Sequence, residues 1–330
     1  MELIAPWLLC IGLPLVGLLA ACQSKGIEES YAELPEVEGT ACIPAEARVI
    51  VGIDPARLLG CPAVPQLLRY VLPPDDGEAF SAGKALLERC GVDVVRDLNR
   101  VLVGLAGSSL GEQIVVAARG RLDEKKLVGC LRDAASRRGQ GSFGERRVSG
   151  VRAYVSSSSH IGDLFLTFQS STIILATSED LLRRARDPLA EKASQGVPLA
   201  ALAEKVDRSK DFWVVGEVPR ELGEKIVEAT AGAVAAPPVA VGGHLGCSTD
   251  GLVAELAVRM TNVEDARALV RFAKGQLRSL VVVMHEMGLA LMNRVELEAN
   301  SDMVTISFIL DSEEMVALAG RIEQRITVEK

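Results

Sequence analysis

The clearest nucleophile pattern in the sequence is Gly107-Ser108-Ser109-Leu110-Gly111, which satisfies G-x-S-x-G. This motif presents a hydrolase serine when a strand turns sharply into a helix behind it. Here residues 112–119 have the pattern of a second strand, which favours an ordinary hairpin turn. His160 and His244 are candidate bases, but nothing in the sequence pairs either one with Ser109. A serine hydrolase using Ser109 is therefore the alternative function.

The other motifs that could hold a cofactor or metal are incomplete. Gly77–Lys84 (GEAFSAGK) is one residue too long for a phosphate-binding loop, and Ala85 follows it where Ser or Thr would bind magnesium. The sequence also lacks cysteine and histidine residues at zinc-binding spacing. We therefore expect neither a cofactor nor a metal.

Composition limits the class of protein. The chain has 330 residues, 48% of them hydrophobic but only 4% aromatic, which suits two domains with aliphatic cores. Its net charge of −8 repels phosphate backbones, and no dense Lys/Arg stripe offsets that charge. Nucleic acid is therefore excluded as an expected partner.

The most specific pattern lies at the N-terminus. Residues 3–21 contain no charged side chain, and this apolar run ends in Leu19-Ala20-Ala21-Cys22. Small side chains at the end of such a run are typical of a cleavage site. The run also approaches the ~20 residues that span a hydrocarbon core, so an uncleaved anchor helix is the alternative. Pro6 and Pro14 interrupt the run and disfavour that helix.

This ending resembles the lipobox of bacterial lipoproteins. The resemblance implies that residues 1–21 are a signal peptide, recognised through Leu19, Ala20 and Ala21. It also implies that Cys22 becomes the mature first residue and carries acyl chains such as palmitate. Two or more acyl chains give lasting attachment to a membrane.

Two flanking features qualify this resemblance. The chain opens Met1-Glu2, whereas a signal peptide normally opens with Lys or Arg. Gln23 replaces the aspartate that keeps some lipoproteins at the inner membrane, so the resemblance implies the outer membrane. Residues 22–44 then form the lipidated cysteine and a flexible acidic tether.

Cysteine usage gives further expectations. Of 7 cysteines, Cys10 leaves with the signal peptide and Cys22 carries lipid, so an odd number remains in the body. An exported location permits disulfides. Cys42 and Cys61 flank the first expected strand, and we predict that they pair. Cys130 shares a helical face with apolar residues, which predicts a small core residue.

The body shows a repeated order of strands and helices, beginning with a predicted strand at Val49–Ile53. Further strands are predicted at Ile173–Ala176 and in the hairpin 295–310, where Val304, Ile306, Phe308 and Leu310 share one face. The segments 103–119 and 241–259 each suggest two strands that end in Arg, and each precedes a long helix. Asp123 and Ser178 are predicted helix caps, and Thr261 with Glu264 fits a capping box. We therefore expect a duplicated β-α-β-β-α-β-β-α unit at 45–188 and 198–330. The expected fold class is α+β, with a mainly antiparallel sheet and helices packed on one face of each unit.

The opening of the body, Pro44-Ala45-Glu46-Ala47-Arg48-Val49, resembles uncharacterised bacterial envelope lipoproteins with duplicated domains. The resulting hypothesis is a membrane-anchored envelope lipoprotein whose body is a non-catalytic binding or structural module. Its expected partners are the membrane, through lipid on Cys22, and an envelope protein or glycan.

Overall fold

The structure, a computed structural model, describes most of the body and none of residues 1–41. The described residues are 42–44, 47–61, 85–106, 113–138, 141–148, 150–158, 162–186, 202, 206–248, 251–286, 295–311 and 314.

The described residues form two compact units. Those of the N-terminal unit lie within Pro6–Gly60 and Val71–Ser194, and those of the C-terminal unit within Cys61–Tyr70 and Gln195–Lys330. The division after Ser194 falls in the expected link between the two repeats. Cys61 was expected in the first repeat but groups with the C-terminal unit, which contains its disulfide partner Cys247.

The N-terminal unit is an antiparallel sheet with short and long helices. Its strands are β1 (Val49–Ile53), β2 (Leu98–Ala106), β3 (Gln113–Gly120), β4 (Gly141–Val148), β5 (Val151–Ser158), β6 (Gly162–Gln169) and β7 (Thr172–Ala176). Its helices are α1 (Pro55–Gly60), α2 (Val94–Asp97), α3 (Glu124–Arg138) and α4 (Glu179–Ala185), with another helical segment at 85–89. The strand order is β1-β2-β3-β7-β6-β5-β4, and the neighbours are antiparallel.

The C-terminal unit has the same kind of sheet. Its strands are β8 (Phe212–Glu217), β9 (Ala240–Ser248), β10 (Gly251–Arg259), β11 (Val295–Asn300) and β12 (Met303–Asp311). Its helices are α5 (Arg220–Ala229) and α6 (Val263–Glu286). The strand order is β8-β9-β10-β12-β11, again antiparallel. Antiparallel sheets with helices make the fold α+β, as predicted.

The two sheets share one topology. In each unit a first strand pairs with the second and the second with the third, and a long helix follows the third. The last strand of the unit then returns to pair with the third, as β7 does with β3 and β12 with β10. The N-terminal unit differs by an additional hairpin, β4–β5, after its long helix. The two units thus share this order of strands and helices, and the duplication itself stays a prediction.

Local polar contacts fix the starts of the helices. The Asp123 carboxylate accepts from the Lys126 backbone N–H at 3.1 Å, and the Ser178 hydroxyl accepts from the Leu181 N–H at 3.2 Å. Both predicted caps are confirmed. Such a bond satisfies one of the N–H groups that a helix leaves unpaired in its first turn.

The predicted capping box at the start of α6 is wrong by one residue. The Asn262 side chain, not that of Thr261, accepts from the Asp265 N–H at 2.8 Å. The Asp265 carboxylate accepts from the Asn262 amide at 2.8 Å and from the Ala235 N–H at 2.7 Å. Thr261 instead donates to the Pro237 carbonyl at 2.9 Å, which removes its hydroxyl from the cap.

One core cluster of the N-terminal unit lies between α3 and the strands β5–β7. Tyr154 is its largest side chain and is only 2% exposed, with the rings of Phe143 and Phe168 at 6.0 and 6.2 Å. The other buried members of this cluster are Cys90, Val92, Leu127, Val128, Leu166 and Ile173. Because aromatic residues are few, aliphatic side chains supply most of this core.

Candidate binding surface

Most sequence-predicted site residues lie outside the described residues. Leu19, Ala20, Ala21 and Cys22 belong to residues 1–41, so the signal peptide and the lipid attachment stay predictions. Ser109 lies in 107–112, which is also outside the described part of the chain.

The elements on either side of Ser109 are described. β2 ends at Ala106 and β3 begins at Gln113, and these two residues are register partners in an antiparallel pair. The motif therefore connects two neighbouring strands of one sheet. A nucleophile elbow needs a helix directly after the serine turn, and here a strand follows.

The predicted Cys42–Cys61 disulfide is wrong. Cys61 pairs with Cys247 on β9, and Cys90 pairs with Cys130 on α3. Cys42 belongs to neither bond. Proximity to the same strand suggested the first pairing, but Cys61 and Cys247 lie 186 residues apart in sequence, with Cα atoms separated by 5.7 Å.

Cys130 is likewise a disulfide partner rather than a simple core residue. Cys130 is partly buried against the core cluster that contains Tyr154, which explains why its face of α3 is apolar. Its bond to Cys90 ties α3 to the segment that follows the 85–89 helix.

The C-terminal sheet has one buried face and one partly open face. Side chains alternate along a strand, and register partners point to the same face. Leu252, Leu297, Val304 and Leu310 lie on the first face and are at most 5% exposed. The long helix α6 contacts β11 and β12.

The segment before β8 covers part of the opposite face. A side chain at Gly242 would meet Val206 at 3.0 Å and Leu202 at 3.5 Å. A side chain at Gly246 would meet the Lys210 methylenes at 2.8 Å. Glycine at these two positions of β9 therefore lets Leu202, Val206 and Lys210 lie directly on the sheet.

Polar contacts hold this covering segment. The Asp207 backbone N–H donates to Nδ1 of His244 at 3.4 Å. The Asp207 carboxylate accepts from both the hydroxyl and the N–H of Ser209, at 2.6 and 3.0 Å. These hydrogen bonds, with Lys210 nearby, hold the pKa of Asp207 below its usual value.

Arg208 and Asp211 complete the attachment of this segment. The Arg208 guanidinium lies 5.5 Å from the centre of the Trp213 ring, and Trp213 itself is buried. The buried Asp211 carboxylate accepts from the Cys247 N–H at 2.6 Å. The segment is thus fixed to β8 and β9, and part of the same face on β10 and β12 is exposed.

The open part carries an exposed apolar pair. Val253 on β10 and Ile309 on β12 are register partners and are 40% and 52% exposed. The next row of the same face is polar, with His244, Glu255 and Ser307 as successive register partners. We call these residues, Val253, Ile309, His244, Glu255 and Ser307, the Val253–Ile309 patch.

The patch combines apolar and polar side chains. Exposed apolar surface rimmed by polar residues is a feature of contact surfaces. Within the described residues, no three His, Cys, Asp or Glu side chains are placed to hold a metal ion. Val239 is a third exposed aliphatic residue, at 41%, and it lies outside the strands and outside the patch.

Sequence reasoning missed this patch for a physical reason. It assigned Val304, Ile306, Phe308 and Leu310 to one face of a hairpin, which is their common face in β12. Ile309 lies between two of them, so the alternation that buries its neighbours exposes it. An apolar residue at a position expected to be polar was the available signal.

Comparisons with known proteins assign this chain neither a family nor a function. No protein-family model matches the chain, and no curated protein matches it in sequence. Similar solved structures include crystal form I of TP0453, with 11% identity, a TM-score of 0.47 and coverage of 87% of this chain and 98% of that chain. Crystal form III of TP0453 has 12% identity and a TM-score of 0.45, covering 86% and 99%. None of the described helices is long and apolar enough to cross a membrane.

Proposed function

We propose that this chain is an exported envelope lipoprotein, cut before Cys22 and held by lipid on that residue, with the outer membrane as the favoured site. Its body is a non-catalytic module, and the Val253–Ile309 patch contacts an envelope protein or glycan. The observation that carries the binding role is the exposure of the paired Val253 and Ile309 beside a polar row.

The disulfides support export. Cys61–Cys247 and Cys90–Cys130 join cysteines that are far apart in sequence. Stable disulfides persist in oxidising compartments and are rare where thiols are kept reduced. They agree with the apolar leader and the Leu19-Ala20-Ala21-Cys22 ending.

Intact mass and fractionation test the anchor. We expect the mature protein to lack residues 1–21, to carry the mass of acyl chains and to fractionate with membranes. Cys22→Ser should remove the acyl mass, whereas Cys10→Ser, in the leader, should leave the mature product unchanged. A mature protein that retains residues 1–21, or that lacks acyl chains, would contradict the anchor.

Patch variants test the binding role. Lipidated protein is cross-linked to detergent-solubilised envelope proteins and, separately, co-sedimented with purified cell-wall glycan. Val253→Asp with Ile309→Asp should abolish the interaction in whichever arm shows it. Val239→Asp is the matched control, because Val239 is equally exposed but lies outside the patch. Absence of binding in both arms would favour a structural spacer.

A fluorophosphonate probe tests the hydrolase alternative. We expect no labelling that depends on Ser109, because the motif connects two antiparallel strands. Labelling of the wild type that Ser109→Ala abolishes would instead establish the hydrolase and overturn a non-catalytic body.

A further inference from the structure

Two edge strands of this protein differ in charge. β4 is an end strand of the N-terminal sheet and β11 an end strand of the C-terminal sheet. Within the described sheets, β4 pairs only with β5 and β11 only with β12. An edge strand exposes backbone N–H and C=O groups that can pair with another chain.

Both edges are regular. β4 pairs with β5 from Gly141 to Val148, and β11 pairs with β12 from Val295 to Asn300, without a register shift in either pair. Neither strand contains proline. Bulges and prolines are common means of blocking an edge, so side-chain charge is the device left in these strands.

The β4 edge is positive. Arg146 and Arg147 are exposed, and neither makes an ion pair among the described residues. The third charged residue of the strand, Glu145, is neutralised by Arg152, with its Oε2 3.0 Å from the guanidinium. The outer edge of β4 therefore presents two uncompensated positive charges.

The β11 edge is negative. Glu296 and Glu298 are exposed and lie on one face of the strand, while Leu297 between them is buried. Neither glutamate makes an ion pair within the described part of the chain. Two copies of β11 would repel each other, and so would two copies of β4, because like charges directly opposite are destabilising.

Arg146 and Arg147 lie on opposite faces of β4, because side chains alternate along a strand. Phe143 and Arg147 share the face on which Tyr154 packs, and Arg146 shares the other face with the buried Val148. On β11 both glutamates lie opposite the buried Leu297. When β4 of one copy pairs with β11 of another, one of the two arginines therefore shares a face with Glu296 and Glu298, whichever faces are aligned. A cross-strand neighbour and its diagonal are both within reach of a long side chain.

We propose that the β4 edge of one copy of this chain pairs with the β11 edge of a second copy. The contact is heterologous, since the two copies use different surfaces. Main-chain hydrogen bonds supply the affinity, as in other cases of strand addition, and the charges select the unlike edge. This inference does not depend on the lipid anchor or on the Val253–Ile309 patch.

Sedimentation of the full-length mature protein in density-matched detergent tests the proposal. The mean mass of the wild type should rise above that of the monomer with increasing protein concentration, and less so at high salt. Glu296→Lys with Glu298→Lys should weaken self-association on the order of tenfold or more. Arg146→Glu with Arg147→Glu should weaken it equally, for the same reason.

Mixing the two double variants separates charge pairing from misfolding. Each variant alone carries like charges on both edges, but the mixture restores opposite charges, so association should return. A chain carrying all four substitutions should associate like the wild type. Val253→Asp with Ile309→Asp should leave association unchanged. A wild type that is monomeric at all concentrations, or a mixture that fails to associate, overturns the proposal.

Discussion

At the scale of single residues, Tyr154 links the core to a surface charge. Its ring is 2% exposed, and its hydroxyl donates to the Glu124 carboxylate at 2.7 Å. Burial, followed by this hydrogen bond, raises the pKa of Tyr154 to about 12. An unfolded tyrosine ionises near ~10, so the folded state favours the neutral phenol.

This difference predicts a loss of stability in alkali. The contribution of Tyr154 is fully present below pH ~10 and falls by about 1.4 kcal/mol per pH unit up to pH ~12. Tyr154→Phe should remove this part of the pH dependence and cost about 1 kcal/mol at neutral pH through the lost hydrogen bond. Denaturant unfolding from pH 8 to 12 measures both effects. As the pH rises, tyrosinate absorbance of the wild type should show a final ionisation step that the variant lacks. If all of that absorbance develops near pH ~10, the raised pKa of Tyr154 is contradicted.

Asn262 gives a second prediction at this scale. Because its side chain accepts from the Asp265 N–H at 2.8 Å, Asn262→Ala should destabilise the protein by about 1 kcal/mol. Glu264→Ala is the control, since Glu264 belongs to the sequence-predicted capping box but not to the observed cap. Urea unfolding compares the two variants. A larger loss for Glu264→Ala would show that the capping contacts are assigned to the wrong residues.

At the scale of elements, two glycines of the N-terminal unit should respond oppositely to alanine. A Cβ at Gly120, the end of β3, would collide with the Asp97 carbonyl oxygen, so the backbone must move. Gly129 lies within α3 with nothing inside 4 Å of the added atom. We expect Gly120→Ala to destabilise the protein by ~2–3 kcal/mol or more, as severe overpacking does. Gly129→Ala should stabilise by about 0.5–1 kcal/mol.

Thermal unfolding of both variants checks this pair. The melting temperature should fall for Gly120→Ala and rise for Gly129→Ala. Equal shifts in one direction would mean that the close approach of β3 to Asp97 is absent in solution.

The elements themselves were largely predictable. The strand Val49–Ile53 was predicted with its observed bounds, and the strand at Ile173–Ala176 begins only one residue earlier, at Thr172. Alternation and caps are local signals, which is why they succeed. The cap of α6 was misplaced by one residue because Thr261 and Asn262 are both good caps, and only the nearby Pro237 carbonyl decides between them.

At the scale of the whole molecule, local sequence signals no longer predict which residues pair or which side chains are exposed. The pairing of Cys61 with Cys247 depends on how β9 is placed in space, and neither spacing nor composition contains that information. The Val253–Ile309 patch is similar, since its exposure depends on which part of the sheet Leu202 and residues 206–210 cover. The repeat order and the strands of the additional hairpin β4–β5 were visible in the sequence, whereas the two charged edges needed the strand order.

The Cys61–Cys247 bond gives the prediction that belongs to the whole chain. It joins residues 186 positions apart, so it restricts the unfolded chain strongly. Replacing both cysteines with serine should lower the free energy of unfolding by about 2–5 kcal/mol. Cys42→Ser should leave it almost unchanged, because Cys42 is in neither disulfide. Chemical denaturation without reductant measures both variants, and peptide mapping identifies the linked cysteines. A linked peptide containing Cys42 and Cys61, or a Cys42→Ser variant as unstable as the double variant, would restore the pairing that the sequence suggested.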